Sequence, residues 1–180
     1  MREVGRKHNK LVIGIPRDNH KIERRVALTP EAVEVLVNQG HEVIVESAAG
    51  EAANYKDHEY SENGGFIVRE KDQVYQCDII IRISPLNEEE IDHLKGDQII
   101  FTNINLPQQN ATYIQKLMQK NVIAIAFEYL REEDNSFPVI KAMSEIAGTT
   151  SILVASEYLS NSREGKGVLL GGVSGITPTE

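Results

Sequence analysis

Apolar and polar positions in this chain come in blocks rather than in strict alternation. Leu11-Val12-Ile13-Gly14-Ile15 is a continuous apolar run, the pattern of a strand buried on both faces. Thr29, Pro30 and Glu31 then read as helix cap, first-turn proline and first-turn acid, and Gly40 as the residue that ends that helix. Val43-Ile44-Val45 follows as a second strand. Strand, helix and strand in so short a span make a βαβ unit, whose strands run parallel. Residues 57–65 predict a short helix closed by Gly64 and Gly65, and residues 66–68 a third strand. A fourth strand is expected at 78–83, an acidic helix at 87–94 and a fifth strand at 98–102. Ile114, Leu117 and Met118 give 110–120 helical spacing, and 122–126 reads as a sixth strand. The pattern predicts an α/β fold: an open, mostly parallel, Rossmann-like (flavodoxin-like) sheet with helices on both faces.

Residues 143–159 depart from that rhythm. They are helical in composition and rich in small side chains from Ala147 to Ser151, which let another backbone come close. A long helix is expected here, either packed inside the domain or bridging to a second one. A polar turn at 161–167 and an apolar stretch at 168–173 follow.

Composition narrows the function classes. The 180 residues are 41% hydrophobic and 26% charged, enough to build a real core. Net charge is −8, and the basic residues cluster only in the first thirty positions. That argues against a nucleic-acid groove, which needs a phosphate-neutralising patch. No run of ~18 apolar residues is present, so no membrane insertion is expected, and no secretory leader pattern opens the chain. The sole cysteine, Cys77, has no internal disulfide partner and reads as a small core or strand-edge residue. These features together predict a cytoplasmic protein. Cys and His spacing fits no metal site. No GxGxxG follows a strand and no Walker lysine is present. Gly171-Gly172-Val173-Ser174-Gly175 reads as a turn, because Pro178 follows it.

The candidate chemistry lies in the connection at 17–28, between the first strand and the first helix. It is about twice the usual ~2–6 residues and carries Arg17, His20, Lys21, Arg24 and Arg25 in an otherwise acidic chain. Open α/β sheets bind ligands at the carboxyl ends of their strands. A long basic loop there suggests a site for a small anion, against the plainer reading of a solvated loop.

Several segments resemble the N-terminal domain shared by alanine dehydrogenases and the α subunit of nicotinamide nucleotide transhydrogenase. They are Ile13 to Pro30 (IGIPRDNHKIERRVALTP), Gly40-His41-Glu42-Val43, Glu46-Ser47-Ala48-Ala49-Gly50, Met143-Ser144-Glu145-Ile146-Ala147-Gly148 and Gly167 to Val173. The order and spacing run over nearly the whole chain and lie closer to alanine dehydrogenase. The resemblance implies a substrate domain at 1–142. It also implies a bridging helix and hairpin at 143–180, leading to a Rossmann NAD-binding domain that would follow. It implies a small anionic substrate such as pyruvate or alanine, NAD as cofactor, and a homo-oligomer in the full-length protein. The piece of 180 residues alone is expected to be inactive.

Residue by residue, Arg25 takes the place of the family's substrate-carboxylate arginine. A guanidinium can hold a carboxylate bidentately and keeps its charge; the competing reading is an ion pair with Glu23. The family's carbonyl-polarising lysine and proton-transferring histidine align with Ser84 and Asn105, neither of which works as an acid or base near neutrality. Arg82 is a possible substitute cation. Met143 and Ser144 match positions at the nicotinamide end of the cofactor; for Ser144 the alternative is capping of the long helix. Transhydrogenase domains also lack the lysine and histidine, and Pro85 to Ile91 resembles them. This keeps open a transhydrogenase-like nucleotide-binding domain or a non-catalytic regulatory homologue.

Overall fold

A computed structural model describes residues 10–18, 23–171 and 174–175. The chain falls into two compact units, residues 1–128 and 129–180.

In the first unit the strands are β1 (Val12–Ile15), β2 (Glu42–Glu46), β3 (Phe66–Val68), β4 (Ile79–Ile81), β5 (Ile99–Thr102) and β6 (Ile123–Ala126). Its helices are α1 (Pro30–Asn38), α2 (Asp57–Glu62), α3 (Lys71–Tyr75), α4 (Glu88–Asp92) and α5 (Ala111–Gln119). The strands form one six-stranded sheet in the order β3-β2-β1-β4-β5-β6, and every pairing is parallel. This is the doubly wound Rossmann order, whose direction reverses between β1 and β4; flavodoxin's order is 2-1-3-4-5.

Two apolar clusters cover the two faces. Ile13, Ile15, Val43 and Val45 point to Val33 of α1 and Tyr60 of α2. Ile80 and Ile100 point to Tyr75 of α3, Ile91 of α4 and Tyr113 and Leu117 of α5. Tyr60 is fully buried, yet its hydroxyl donates to the Leu28 carbonyl at 2.9 Å. Burial pushes its pKa up to about 12. Gly14 makes room for α3: a Cβ there would lie 2.5 Å from the Val74 carbonyl oxygen and 3.0 Å from Cys77 Sγ. Cys77 is buried, a core rather than a strand-edge residue, and burial raises its thiol to about 11.

Two expectations shift in detail. Helix α3 has no counterpart in the sequence pattern; its five residues are too short for a period, and its hold on the sheet comes from the buried Val74 and Tyr75. In the second unit the long helix α6 spans Pro138–Leu159. It starts five residues before the expected 143, because Pro138 sits at its first position, where a missing N–H costs nothing. A 3-10 turn follows at Asn161–Arg163. Residues 168–171 form no strand; the rest of the expected hairpin, Gly172 and Val173, lies outside the described residues. Helix α6 exposes Ile146, Ile152, Leu153 and Tyr158. No helix among the described residues is long and apolar enough to cross a membrane.

Candidate functional site

Three loops at the carboxyl ends of β1, β4 and β5 enclose a cleft of about 760 Å³, within the size of small-ligand pockets. Its place, beside the β1/β4 reversal, is where doubly wound sheets bind ligands. The β1 loop contributes Glu23, Arg24 and Arg25; the β4 side contributes Arg82, Ile83, Ser84, Pro85, Asn87 and Glu90. The β5 side adds Asn103, Asn105, Gln108 and Gln109.

Carboxylates tie these loops together. Asp18 accepts from Arg82 Nη2 at 3.0 Å and from the Ser84 amide at 3.0 Å, fastening the β1 loop to the end of β4. Thr102 Oγ1 donates to the Ser84 carbonyl at 2.8 Å, joining β5 to the same loop. Glu128, just past β6, accepts from the amides of Ile104 at 3.0 Å and Asn105 at 2.8 Å. Asn105 itself has φ +48°, the left-handed region that asparagine tolerates better than most residues.

Arg25 lines the cleft, but one edge of its guanidinium is taken. Nε donates to Glu23 Oε1 at 2.8 Å and Nη2 to Oε2 at 2.7 Å, and the Arg25 amide also donates to Oε1 at 2.9 Å. The hydrogen bonds from Arg25 hold the Glu23 carboxyl below its usual range; those to Glu23 raise Arg25. Of the five guanidinium N–H groups, this side-on contact uses two. The remaining edge belongs to a side chain that is 53% exposed, whereas that of Glu23 is 12% exposed. Both sequence readings of Arg25 therefore meet in one geometry: it is paired with Glu23, and it stands at an open cleft with donors to spare.

Arg82 is only 4% exposed. Its Nη1 donates to Glu90 Oε2 at 2.7 Å and more weakly to the Tyr75 hydroxyl at 3.4 Å. Lys71 Nζ adds a bond to Glu90 Oε1 at 3.2 Å. Glu90 is also the third residue of α4: its carboxylate accepts from the Asn87 amide at 2.8 Å, while Asn87 Oδ1 accepts from the Glu90 amide at 2.9 Å. This is a reciprocal capping box. Burial alone would raise Glu90, but the Arg82 charge, the Asn87 amide and Lys71 outweigh it and leave the carboxyl below its usual range. Burial also works against the Arg82 charge, but Glu90, Tyr75 and Asp18 outweigh it and raise its pKa. Arg82 is thus held by two carboxylates while its edge lines the cleft. Its Nε has no hydrogen-bond partner among the described residues, and neither has the buried Asn103 Oδ1.

Ser84 and Asn105 both reach the cleft. Met143 and Ser144 lie in α6, in the second unit. Ser144 does not cap that helix, which begins at Pro138 after Phe137. His20 and Lys21 lie outside the described residues. Sequence reasoning passed over Asp18, Asn103, Thr102 and Glu128; only Glu90 left a local signal, the Asn87-to-Glu90 capping spacing. Among the described residues no group of His, Cys, Asp and Glu is placed to hold a metal ion.

A sequence model described as the alanine dehydrogenase/PNT N-terminal domain matches residues 14–147. The chain belongs to this family. Alanine dehydrogenase of Staphylococcus saprophyticus is 36% identical over 167 residues, 93% of this chain and 45% of that protein. The Staphylococcus epidermidis alanine dehydrogenase is 38% identical over 164 residues, 91% of this chain and 44% of its own. Among solved structures, an L-alanine dehydrogenase superposes with a TM-score of 0.86 at 32% identity, covering 93% of this chain and 46% of that one. A transhydrogenase from Sinorhizobium meliloti shares the fold, with a TM-score of 0.62 at 22% identity over 67% of this chain and 36% of that one. The chain thus spans somewhat less than half the length of the curated relatives it matches. Alanine dehydrogenases and transhydrogenases imply NAD(H), but the first unit lacks the glycine turn of a dinucleotide fingerprint after β1, β4 and β5. The residues that follow β1, β4 and β5 are Pro16, Arg82 and Asn103, where a pyrophosphate cradle needs glycine.

Proposed function

We propose that this chain is the substrate-binding part of an NAD-dependent, alanine dehydrogenase-like oxidoreductase acting on a small carboxylate. The observation that supports it is Arg25 at the cleft beside the β1/β4 reversal, its guanidinium oriented by Glu23 and one edge still available. That edge would take the ligand carboxylate; in the relatives named alanine dehydrogenase the ligand would be alanine or pyruvate. Arg82 would lend positive potential at the cleft wall. Residues 1–142 would form the substrate domain, and the chain from 143 onward would lead to the part that binds NAD, with Met143 and Ser144 at its edge. NAD would supply the hydride acceptor; this chain would orient the substrate. We place the protein in the cytoplasm, as a homo-oligomer in its full-length form.

A second reading, a homologue that binds without turning over, draws on Ser84 and Asn105 standing where the resemblance implies a lysine and a histidine. The deciding experiment titrates the chain with pyruvate and measures alanine-dependent NAD reduction by the polypeptide extended to the relatives' length. Pyruvate binding weakened at least about tenfold by Arg25→Ala, the scale of one lost charge-assisted bond, together with turnover only in the extended form, supports the proposal. Binding indifferent to Arg25→Ala, or NADH formed by the 180-residue chain alone, overturns it. Binding without turnover in the extended form selects the second reading.

A further inference from the structure

Three guanidiniums and two carboxylates line the cleft. Both carboxylates are committed: Glu23 to Arg25, and Glu90 to Arg82 and Lys71. Asp18 is bonded to Arg82 as well. Among the described residues lining the cleft, Arg24 is the charge left over. It is exposed on the same wall, and it forms no hydrogen bond or ion pair with any described residue. Its five N–H donors are therefore open to whatever enters.

Position and room decide what Arg24 would hold. Consecutive Cα atoms lie ~3.8 Å apart, so Arg24 and Arg25 present two cations to one ligand from one stretch of loop. A carboxylate on the free edge of Arg25 leaves much of a cleft of about 760 Å³ open, more room than a three-carbon acid fills. A basic side chain reaching into that room would be repelled, and an apolar one would leave Arg24 unanswered. A second carboxylate would match its planar fork. We propose that Arg24 sets a side-chain specificity: the cleft takes a 2-amino acid that ends in a carboxylate, with the first carboxylate on Arg25 and the second on Arg24. The 2-amino acid head is that of alanine, so the smaller ligand still fits at Arg25. This deepens the functional reading and rests on its claim that Arg25 holds a carboxylate here.

Two acids and their neutral twins test it: L-aspartate against L-asparagine, and L-glutamate against L-glutamine, with L-alanine alongside. Each is titrated into the chain and followed by amide chemical shifts, in the wild type and in Arg24→Gln, Arg24→Lys and Arg25→Ala. At low salt at least one acid should bind roughly fivefold more tightly than its amide, between the scale of an exposed ion pair and that of a charge-assisted bond. The advantage should shrink at about 1 M salt. Arg24→Gln should bring that acid level with its amide, Arg24→Lys should keep part of the advantage, and Arg25→Ala should weaken every ligand. If the ligands depend on Arg25 but neither acid exceeds its amide, the specificity is wrong and the carboxylate reading stands. It is equally wrong if the advantage survives Arg24→Gln or ignores salt. If no probe binds, or binding ignores Arg25→Ala, both ideas fall. Arg24 has no bond to lose among the described residues, and unfolding profiles of its variants matching the wild type make their binding data a direct reading of the site.

Discussion

Replacing Arg82 by methionine isolates the charge cluster beneath the cleft. In the wild type two cations, Arg82 and Lys71, face two carboxylates, Asp18 and Glu90, with the Arg82 and Glu90 side chains 3% and 1% exposed. Arg82→Met removes two charge-assisted bonds of 2.7 and 3.0 Å, each worth ~1.5–3 kcal/mol. Glu90 keeps Lys71 and the Asn87 amide, and Asp18 keeps the Ser84 amide. The loss therefore belongs at the lower end of that seen when a buried pair is broken, about 3 kcal/mol. The pH dependence gives a second check. In the wild type Glu90 is depressed, so its contribution is present above the ordinary glutamate pKa of about 4.3 and is lost as pH falls through its folded value. In the variant the main depressing charge is gone and burial pushes Glu90 up. The penalty is then largest at neutral pH and shrinks as acidification protonates Glu90. Urea unfolding followed by circular dichroism at about pH 7 and pH 5 measures both; adding Glu90→Gln should recover part of the loss at neutral pH. A cost below about 1 kcal/mol, or one equal at the two pH values, would refute the assignment of this cluster as a mutually dependent unit.

Gly14→Ala should destabilise the first unit by ~1–3 kcal/mol, read as a lower urea midpoint, because the new Cβ meets the Val74 carbonyl at 2.5 Å and backbone gives way less than a side chain. Carboxylate binding should be flat from about pH 6 to 9: Glu23 and Glu90 are held below their usual range and Arg25 and Arg82 above theirs, and Ser84 and Asn105 do not titrate there. An inflection in affinity between about pH 6 and 8, the histidine range, would contradict the claim that the cleft's charges are fixed.

Much of the fold was legible because its signals are local. Six apolar runs, the Thr29-Pro30 helix start and the stop at Gly40 announce themselves within a few residues, and the sheet forms six parallel strands from those runs. What was lost was either too short or too distant. Helix α3 has five residues and is held by its contact with Gly14 rather than by any period. The early start of α6 had a signal in Pro138 that the small-residue stretch further on obscured. The cleft divides in the same way. Arg25 stood out as a cation in an acidic chain, and its pairing with Glu23 two residues away could be weighed in advance. Asp18 reaching Arg82 across 64 positions left no mark along the chain, because only the parallel pairing of β1 with β4 brings the two together.

That pairing also bears on what the cleft can do. Because β1 and β4 are neighbours at the reversal point, the basic loop after β1 and the loop after β4 form opposite walls of one space, and Asp18 clamps them. A clamp made of ions needs its ions charged, so the residues that hold the walls together are unsuited to trading protons. Among the described residues lining the cleft, the polar side chains other than Glu23, Arg24, Arg25, Arg82 and Glu90 are serine, asparagine and glutamine, which bond a ligand without ionising. Holding and orienting a small anion is therefore the role we propose for this unit. In the proposed reaction none of these described residues would trade the proton, which places the test of catalysis in the extended polypeptide and the test of recognition in this chain.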